Sequence, residues 1–195
     1  MRGSITTCRR SSSVLDALGA ALVSVSYPGA MRIHVGTDHA GLEFGRDLQQ
    51  HLRDAGHEVI DHGPQEYDPL DDYPSFCINT ALGVVHDQQG GVEALGVVFG
   101  GSGNGEQMAA NKVRGARAAL VWNTDTALLA RQHNDANLIA IGARQHTVEV
   151  VLSLVDAFIA EPFSGEERHV RRIAQLREYE LTGAIAGHPI DVYPS

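Results

Sequence analysis

ALGVVFGGSGNGEQMAANK, residues 94–112, joins three kinds of chain in one short span. Residues 94–100 form an apolar run of strand length, apolar enough to be buried on both faces. Glycines 101, 103 and 105 then alternate with Ser102 and Asn104 in a loop, and GEQMAANK opens a short helix. A buried strand, a glycine loop and a helix in that order form the repeating unit of a parallel α/β sheet. Glu106 is the first charged residue after the loop. A loop that only cradles phosphate has no use for a carboxylate at its mouth.

The same alternation extends in both directions. MRIHVGT (31–37), HEVID (57–61), AALVW (118–122) and LIAIGA (138–143) read as further strands. Leu42, Phe44, Leu48, Leu52 and Ala55 give a first helix that Gly56 ends. The polar loop PQEYDPLDD (64–72) leads to Pro74, read as the first residue of a helix carrying Phe76, Cys77, Thr80, Ala81, Val84 and Val85. Thr124 or Asp125 is expected to cap TALLARQHN, and helices over 147–160 and 166–181 follow. The predicted fold is α/β: a three-layer αβα, Rossmann-like domain with a five-stranded parallel sheet and helices on both faces.

Residues 31–182 are expected to form one domain, with 183–195 as an irregular tail. Residues 1–30, rich in serine and small side chains, read as a loosely ordered extension rather than a secretory signal, whose apolar segment Asp16 would interrupt. A net charge of −9 argues against nucleic acid or an anionic membrane surface as partner. No apolar run approaches the ~18 residues of a membrane span. Cys8 and Cys77 make neither a CxxC pair nor a disulfide framework, which fits a reducing cytoplasm, and Cys77 reads as core packing.

Right-handed crossovers put every strand's C-terminal end on one edge, where such sheets bind ligands. DHAG after the first strand, GGSGNGE after the third and GAR after the fifth converge there. The glycine loop matches neither a P-loop, which needs lysine where Glu106 stands, nor a dinucleotide fingerprint, which has different spacing and follows the first strand. It can offer backbone N–H groups, the Ser102 hydroxyl and the Asn104 amide to an oxyanion. A carboxylate beside such donors suits removal of a proton from carbon next to a carbonyl. Alternatively, Glu106 only complements a helix N-terminus, worth about 0.3–1 kcal/mol.

Other residues also admit two readings. Asp38 and His39 are ligands at the sheet edge, or an N-cap with a solvated histidine. His133, beside Asn134, is a catalytic group or a partner of the helix dipole. Arg168 and Arg172 share a helix face with room for a phosphate, or form a solvated basic helix. The ten histidines show no metal-ligand spacing, so no metal is expected.

GTDHAG, DDYPSFC, GGSGNGEQMAANKVRGARAAL, ARQHNDANLIAIGAR and RHVRRI together resemble the B-type ribose-5-phosphate isomerases, in particular their actinobacterial branch, across residues 31–180. The resemblance implies an αβα fold, a homodimer, no cofactor, and interconversion of ribose 5-phosphate and ribulose 5-phosphate in the pentose phosphate pathway. One branch of the family uses a cysteine base just before its loop. That position is Gly100 here, and the other branch's glutamate base matches Glu106. By position, Asp38 and His39 bind substrate, and Gly101, Ser102, Gly103, Asn104 and Gly105 hold the enediolate. His133 opens the furanose ring with Asn134 beside it, and Arg144, Arg168 and Arg172 complete binding, the last two at the phosphate. Related proteins isomerise galactose or allose 6-phosphate. A non-catalytic nucleotide-binding module is a further alternative, and Glu106 counts against it.

Chain direction adds one expectation. His133 ends a helix that runs antiparallel to the strands, so it should lie near the edge opposite Glu106. About nine residues at 1.5 Å each would part the two by more than ~10 Å. Cooperation on one sugar then needs His133 from a two-fold partner.

Overall fold

The computed structural model describes residues 29–191, so the extension expected over 1–30 lies almost wholly outside the described residues. In chain order the elements are β1 (Arg32–Thr37), α1 (Leu42–Asp54), β2 (Glu58–Asp61), α2 (Tyr73–Gln89), β3 (Ala94–Gly100) and α3 (Asn104–Ala110). Then come β4 (Ala118–Leu120), α4 (Thr124–Asn134), β5 (Leu138–Gly142), α5 (Val148–Ala160) and α6 (Glu167–Thr182). All strand pairings are parallel, in the order β2-β1-β3-β5-β4, as the alternating pattern predicts.

The two faces of the sheet are filled differently. Ile33, Val35, Val97, Phe99, Ile139 and Ile141 point to one side and pack on α1, α4 and α5 through Leu48, Leu52, Ala127, Leu154 and Phe158. Burying each such side chain stabilises the fold by roughly 1.5–3 kcal/mol. The opposite face is lined by small residues, so α2 comes close to it. A Cβ on Gly36 would overlap the Thr80 hydroxyl, and one on Gly96 would press on Val84 and Leu138 at 2.9 and 2.8 Å.

Local chemistry explains most boundaries, with two corrections. Gly56, at φ 90°, follows the end of α1 as expected. The cap of α4 is Asn123, not Thr124 or Asp125: its side chain accepts from the Thr126 N–H at 2.8 Å, and the Thr126 hydroxyl faces the Asn123 N–H in return. A reciprocal box satisfies two otherwise orphaned amides, which a cap one residue later would not. Helix α2 starts at Tyr73, so Pro74 is the second helical residue, where its missing N–H still costs nothing.

Topology then selects a location. The connections lead from β1 outward to β2, and from β3 toward β5 and β4, so the order reverses between β1 and β3. A crevice opens outside the C-terminal ends of strands at such a switch point. The segments after β1 and β3 border it. Helix α6 belongs elsewhere. Along it only His169 is buried, while Val170, Leu176, Tyr179 and Leu181 are each about half exposed.

A polar chain crosses the interface between β1 and α2. Arg32 donates to Asp87 at 2.9 Å, His34 Nε2 lies 2.9 Å from the same carboxylate oxygen, and His34 Nδ1 lies 2.8 Å from His62 Nε2. Burial holds both histidines below the ordinary imidazole value. For His34 the Asp87 carboxylate opposes this, and for His62 the neighbouring His34 adds to it. Burial alone would raise Asp87, but bonds from Arg32 and His34 take it below its usual value. Glu58, on Arg32, and Asp61 complete the charges around the chain.

The unfolded chain therefore binds protons that the folded histidines refuse. Stability from these groups is complete above their ordinary value of 6.5 and declines as the pH falls from there toward the depressed folded values. The thermal midpoint should fall between about pH 7 and pH 5.5, and His34→Gln, which keeps a donor for Asp87, should flatten that slope. A slope identical in both proteins, followed by calorimetry, would contradict the assignment to this network.

Candidate active site

The chain after β3 has to turn sharply into α3. Gly103 makes that turn at φ 80°, against Leu120 and the β5 backbone, where a side chain would meet Ile141 and Gly142 atoms at about 3 Å. The loop is tied to the end of β5 by the Ala143 N–H on the Gly100 carbonyl at 2.8 Å and the Arg144 N–H on the Gly101 carbonyl at 3.3 Å. This brings Arg144 over the loop: its guanidinium lies 3.2 Å from where a Gly101 Cβ would stand. Ser102 and Asn104 are exposed at the rim, with the Ser102 hydroxyl 3.3 Å from the Asn104 N–H and side-chain amide.

Glu106 sits in the first turn of α3 and is 4% exposed. Its carboxylate folds back over Gly100, and a Cβ on Gly100 would overlap it. Burial pushes Glu106 above the usual carboxylate range. The N–H groups of Glu106 itself and of Gly103 pull the other way, and the nearby Asp38 carboxylate adds to the rise. A helix-capping glutamate would stay in water. Glu106 is instead buried, unpaired with any cation in the described residues, and raised above the ordinary glutamate value.

Asp38 and His39 follow β1 on the same edge. Asp38 is buried and does accept from the Ala40 N–H at 2.9 Å, so it caps the single 3-10 turn His39–Gly41 while also facing Glu106. Cys77, in α2, lies beneath this group. Burial, then the Glu106 and Asp38 carboxylates, push its thiol up to about 12, so it is packing and not a nucleophile, as the sequence suggests.

Two residues escaped the sequence reading. Tyr73 stands against the loop, its hydroxyl 2.7 Å from the place of a Gly105 Cβ. Asp71 holds His39 through Nδ1 at 2.6 Å and through the backbone N–H at 3.1 Å. Both lie in or just after the polar loop 64–72, where nothing in the periodicity tells a functional side chain from a solvated one. Asp38, His39 and Asp71 bring three potential metal-ligand atoms within 4.8 Å of one another. The 2.6 Å His39–Asp71 spacing is a hydrogen bond, shorter than the roughly 3 Å between two ligands of one zinc ion.

The remaining candidates lie at the other edge. His133 and Asn134 close α4, where Arg117, just before β4, donates to the Asn134 and Asp135 carbonyls. Arg131 and Asp135 border a cleft with Met31 and Ala94, at the starts of β1 and β3. The β3 strand of seven residues separates the edges by roughly 20 Å. His133 packs on His169 with ring centres 4.3 Å apart, which brings the start of α6, and so Arg168 and Arg172, to the same edge. Arg168 is exposed and paired with Glu166 at 2.9 Å. One chain thus gathers Asp38, His39, Gly101–Gly105, Glu106 and Arg144 at one edge, and His133, Asn134, Arg168 and Arg172 at the other.

A buried carboxylate beside a glycine loop at the switch point of a parallel sheet is the kind of edge at which α/β enzymes bind their ligands. The chain belongs to the Ribose/Galactose Isomerase family, whose model matches residues 33–176. Ribose-5-phosphate isomerase B of Mycobacterium tuberculosis is 55% identical over 152 residues, covering 78% of this chain and 91% of the relative. The Escherichia coli ribose-5-phosphate isomerase B is 35% identical over 149 residues, 76% of this chain and 96% of its own. Among solved structures, ribose-5-phosphate isomerase B from Mycoplasma genitalium with bound ribulose-5-phosphate superposes with a TM-score of 0.72 at 38% identity, covering 78% of this chain and 97% of that one. Trypanosoma cruzi type B ribose 5-phosphate isomerase gives 0.73 at 39% identity over 80% and 100%.

The packing of Glu106 on Gly100 is directly testable. Gly100→Ala should displace the carboxylate and lower isomerase turnover by about 10²-fold or more with the circular dichroism spectrum unchanged. The acid limb of kcat/KM should lie above 4.5, the ordinary value for glutamate, because activity is lost as the pH falls through the raised value. An acid limb at or below that value would remove Glu106 as the titrating base.

Proposed function

We propose that this chain interconverts ribose 5-phosphate and ribulose 5-phosphate through a cis-enediolate, with Glu106 as the base. The observation that carries this reading is the buried Glu106 carboxylate, raised above its usual value beside the Gly101–Gly105 loop. Relatives named for this activity support the choice of a pentose phosphate. Ring opening frees the aldehyde. Glu106 takes the C2 proton, the loop amides hold the enediolate charge, and the hydroxyl proton passes from O2 to O1. Glu106 then returns its proton to C1. The base contributes about 10²–10⁴-fold and each oxyanion donor about 10²–10³. No cofactor takes part in these steps.

The active unit is a homodimer with composite sites. His133, as the acid that protonates the ring oxygen, and Asn134 reach the Glu106 crevice from the partner, accompanied by Arg168 and Arg172 at the phosphate. Three features support this. These residues lie an edge away from Glu106 in their own chain. Arg168, paired among the described residues with Glu166, and Arg172 both stand exposed on α6, where they could meet a phosphate. The apolar residues Val170, Leu176, Tyr179 and Leu181 also stand exposed on α6, where a second copy would cover them. A reducing cytoplasm suits the free thiol of Cys77.

Turnover should be assayed with ribose 5-phosphate, allose 6-phosphate and galactose 6-phosphate in the presence of a chelator. Ribose 5-phosphate should be turned over, and Glu106→Gln should lose at least about a hundredfold while still binding substrate. Near-normal turnover by that variant would sink the assignment. Mixing inactive Glu106→Gln and His133→Ala homodimers under subunit exchange should recover about a quarter of wild-type activity, because one heterodimer site is intact. Proven exchange without recovery would mean that each chain builds its own site.

A further inference from the structure

We propose that Asp71 is the positioning residue for His39, fixing its ring through Nδ1 so that Nε2 is left to meet the substrate. The proposal deepens the isomerase reading and rests on His39 being part of that site.

The loop between β2 and α2 is shaped to deliver Asp71. Asp68 starts a turn in which its side chain accepts from the Leu70 N–H at 2.9 Å and its carbonyl from the Asp71 N–H at 3.2 Å. The turn folds the chain back over His39, with Tyr67 meeting the His39 ring edge-on at 6.0 Å between centres. Both hydrogen bonds of the Asp71 side chain end on His39, one on the backbone N–H and one on Nδ1, and both use the same oxygen, Oδ1. The second oxygen, Oδ2, is buried with no hydrogen-bond partner among the described residues. A carboxylate placed to anchor the loop would spread its bonds over the loop. This one makes them all to a single histidine.

The chemistry of the pair sets the tautomer. A backbone N–H can only donate, so Oδ1 is an acceptor, and Nδ1 beside it carries its proton when the ring is neutral. Nε2 is then a lone pair, and the ring is only partly buried, its side chain 23% exposed beside the crevice that holds Asp38 and Glu106. With Nδ1 taken by Asp71, Nε2 is the ring atom left for a substrate. Without Asp71 the ring could rotate, or carry its proton on Nε2 and lose the acceptor.

Asp71→Asn is a discriminating variant. The His39 N–H keeps an amide oxygen at the Oδ1 position, so Nδ1–H still has its acceptor and the tautomer survives. Asp71→Ala removes it. We expect kcat/KM for ribose 5-phosphate to fall about 10–100-fold in Asp71→Ala, within the range for a lost hydrogen bond to a charged group, and to stay within a few-fold of wild type in Asp71→Asn. In a His39→Ala background, Asp71→Ala should cost nothing further. Equal costs in both backgrounds, or an Asn variant as poor as the Ala variant, would overturn the positioning role in favour of loop anchoring. Nitrogen-15 NMR of the wild type, above the pH at which the ring protonates, reads the tautomer without any variant: Nδ1–H is expected, and Nε2–H would overturn the proposal. Glu106→Gln runs alongside. Full activity in that variant removes Glu106 as the base. Absence of ribose 5-phosphate turnover in the wild type overturns the isomerase reading itself, whereas wild-type turnover with additive Asp71 and His39 effects overturns only the role of Asp71.

Discussion

A carboxylate taken out of water at the end of β3 needs room, and the missing side chain of Gly100 supplies it. Glu106 folds back into that space, reaches 4% exposure and so acquires a raised proton affinity. Any side chain at 100 would claim the same volume. A side chain at 100 and the present placement of the Glu106 carboxylate therefore exclude each other on steric grounds.

The rest of the edge supports that point. Small residues on the α2 face of the sheet, Gly36 and Gly96 among them, let α2 approach closely, which brings Cys77 under Glu106 and Tyr73 against Gly105. The Ala143 and Arg144 amides hold the loop to β5, so the amides at its tip are positioned by the sheet rather than by the loop's own conformation.

The opposite edge has its own order. Asp135, at φ 42°, takes a left-handed turn held by Arg117 and Arg131, and this fixes where α4 stops and where His133 points. His169, buried against His133, fastens α6 to the same place. An otherwise exposed helix is thereby attached to the N-terminal edge of the sheet.

The sequence alone determined the layers, the parallel sheet and the edge on which the loops converge, because a two-residue period, a helical period and right-handed crossovers are local or nearly local constraints. It also singled out Glu106 as a candidate, since a carboxylate after a glycine loop conflicts with simple anion binding, and the antiparallel run of α4 already separated His133 from it. The choice of Asn123 over Thr124 as a cap was beyond it, because several adjacent residues have the right side chain and only backbone direction selects one. Tertiary structure alone decided the burial of Glu106 over Gly100, the approach of Tyr73, and the two bonds from Asp71 to His39, thirty-two residues away in the chain. These depend on how closely α2 packs and how the loop 64–72 folds back, and both are set by contacts between segments with no periodic relation to each other.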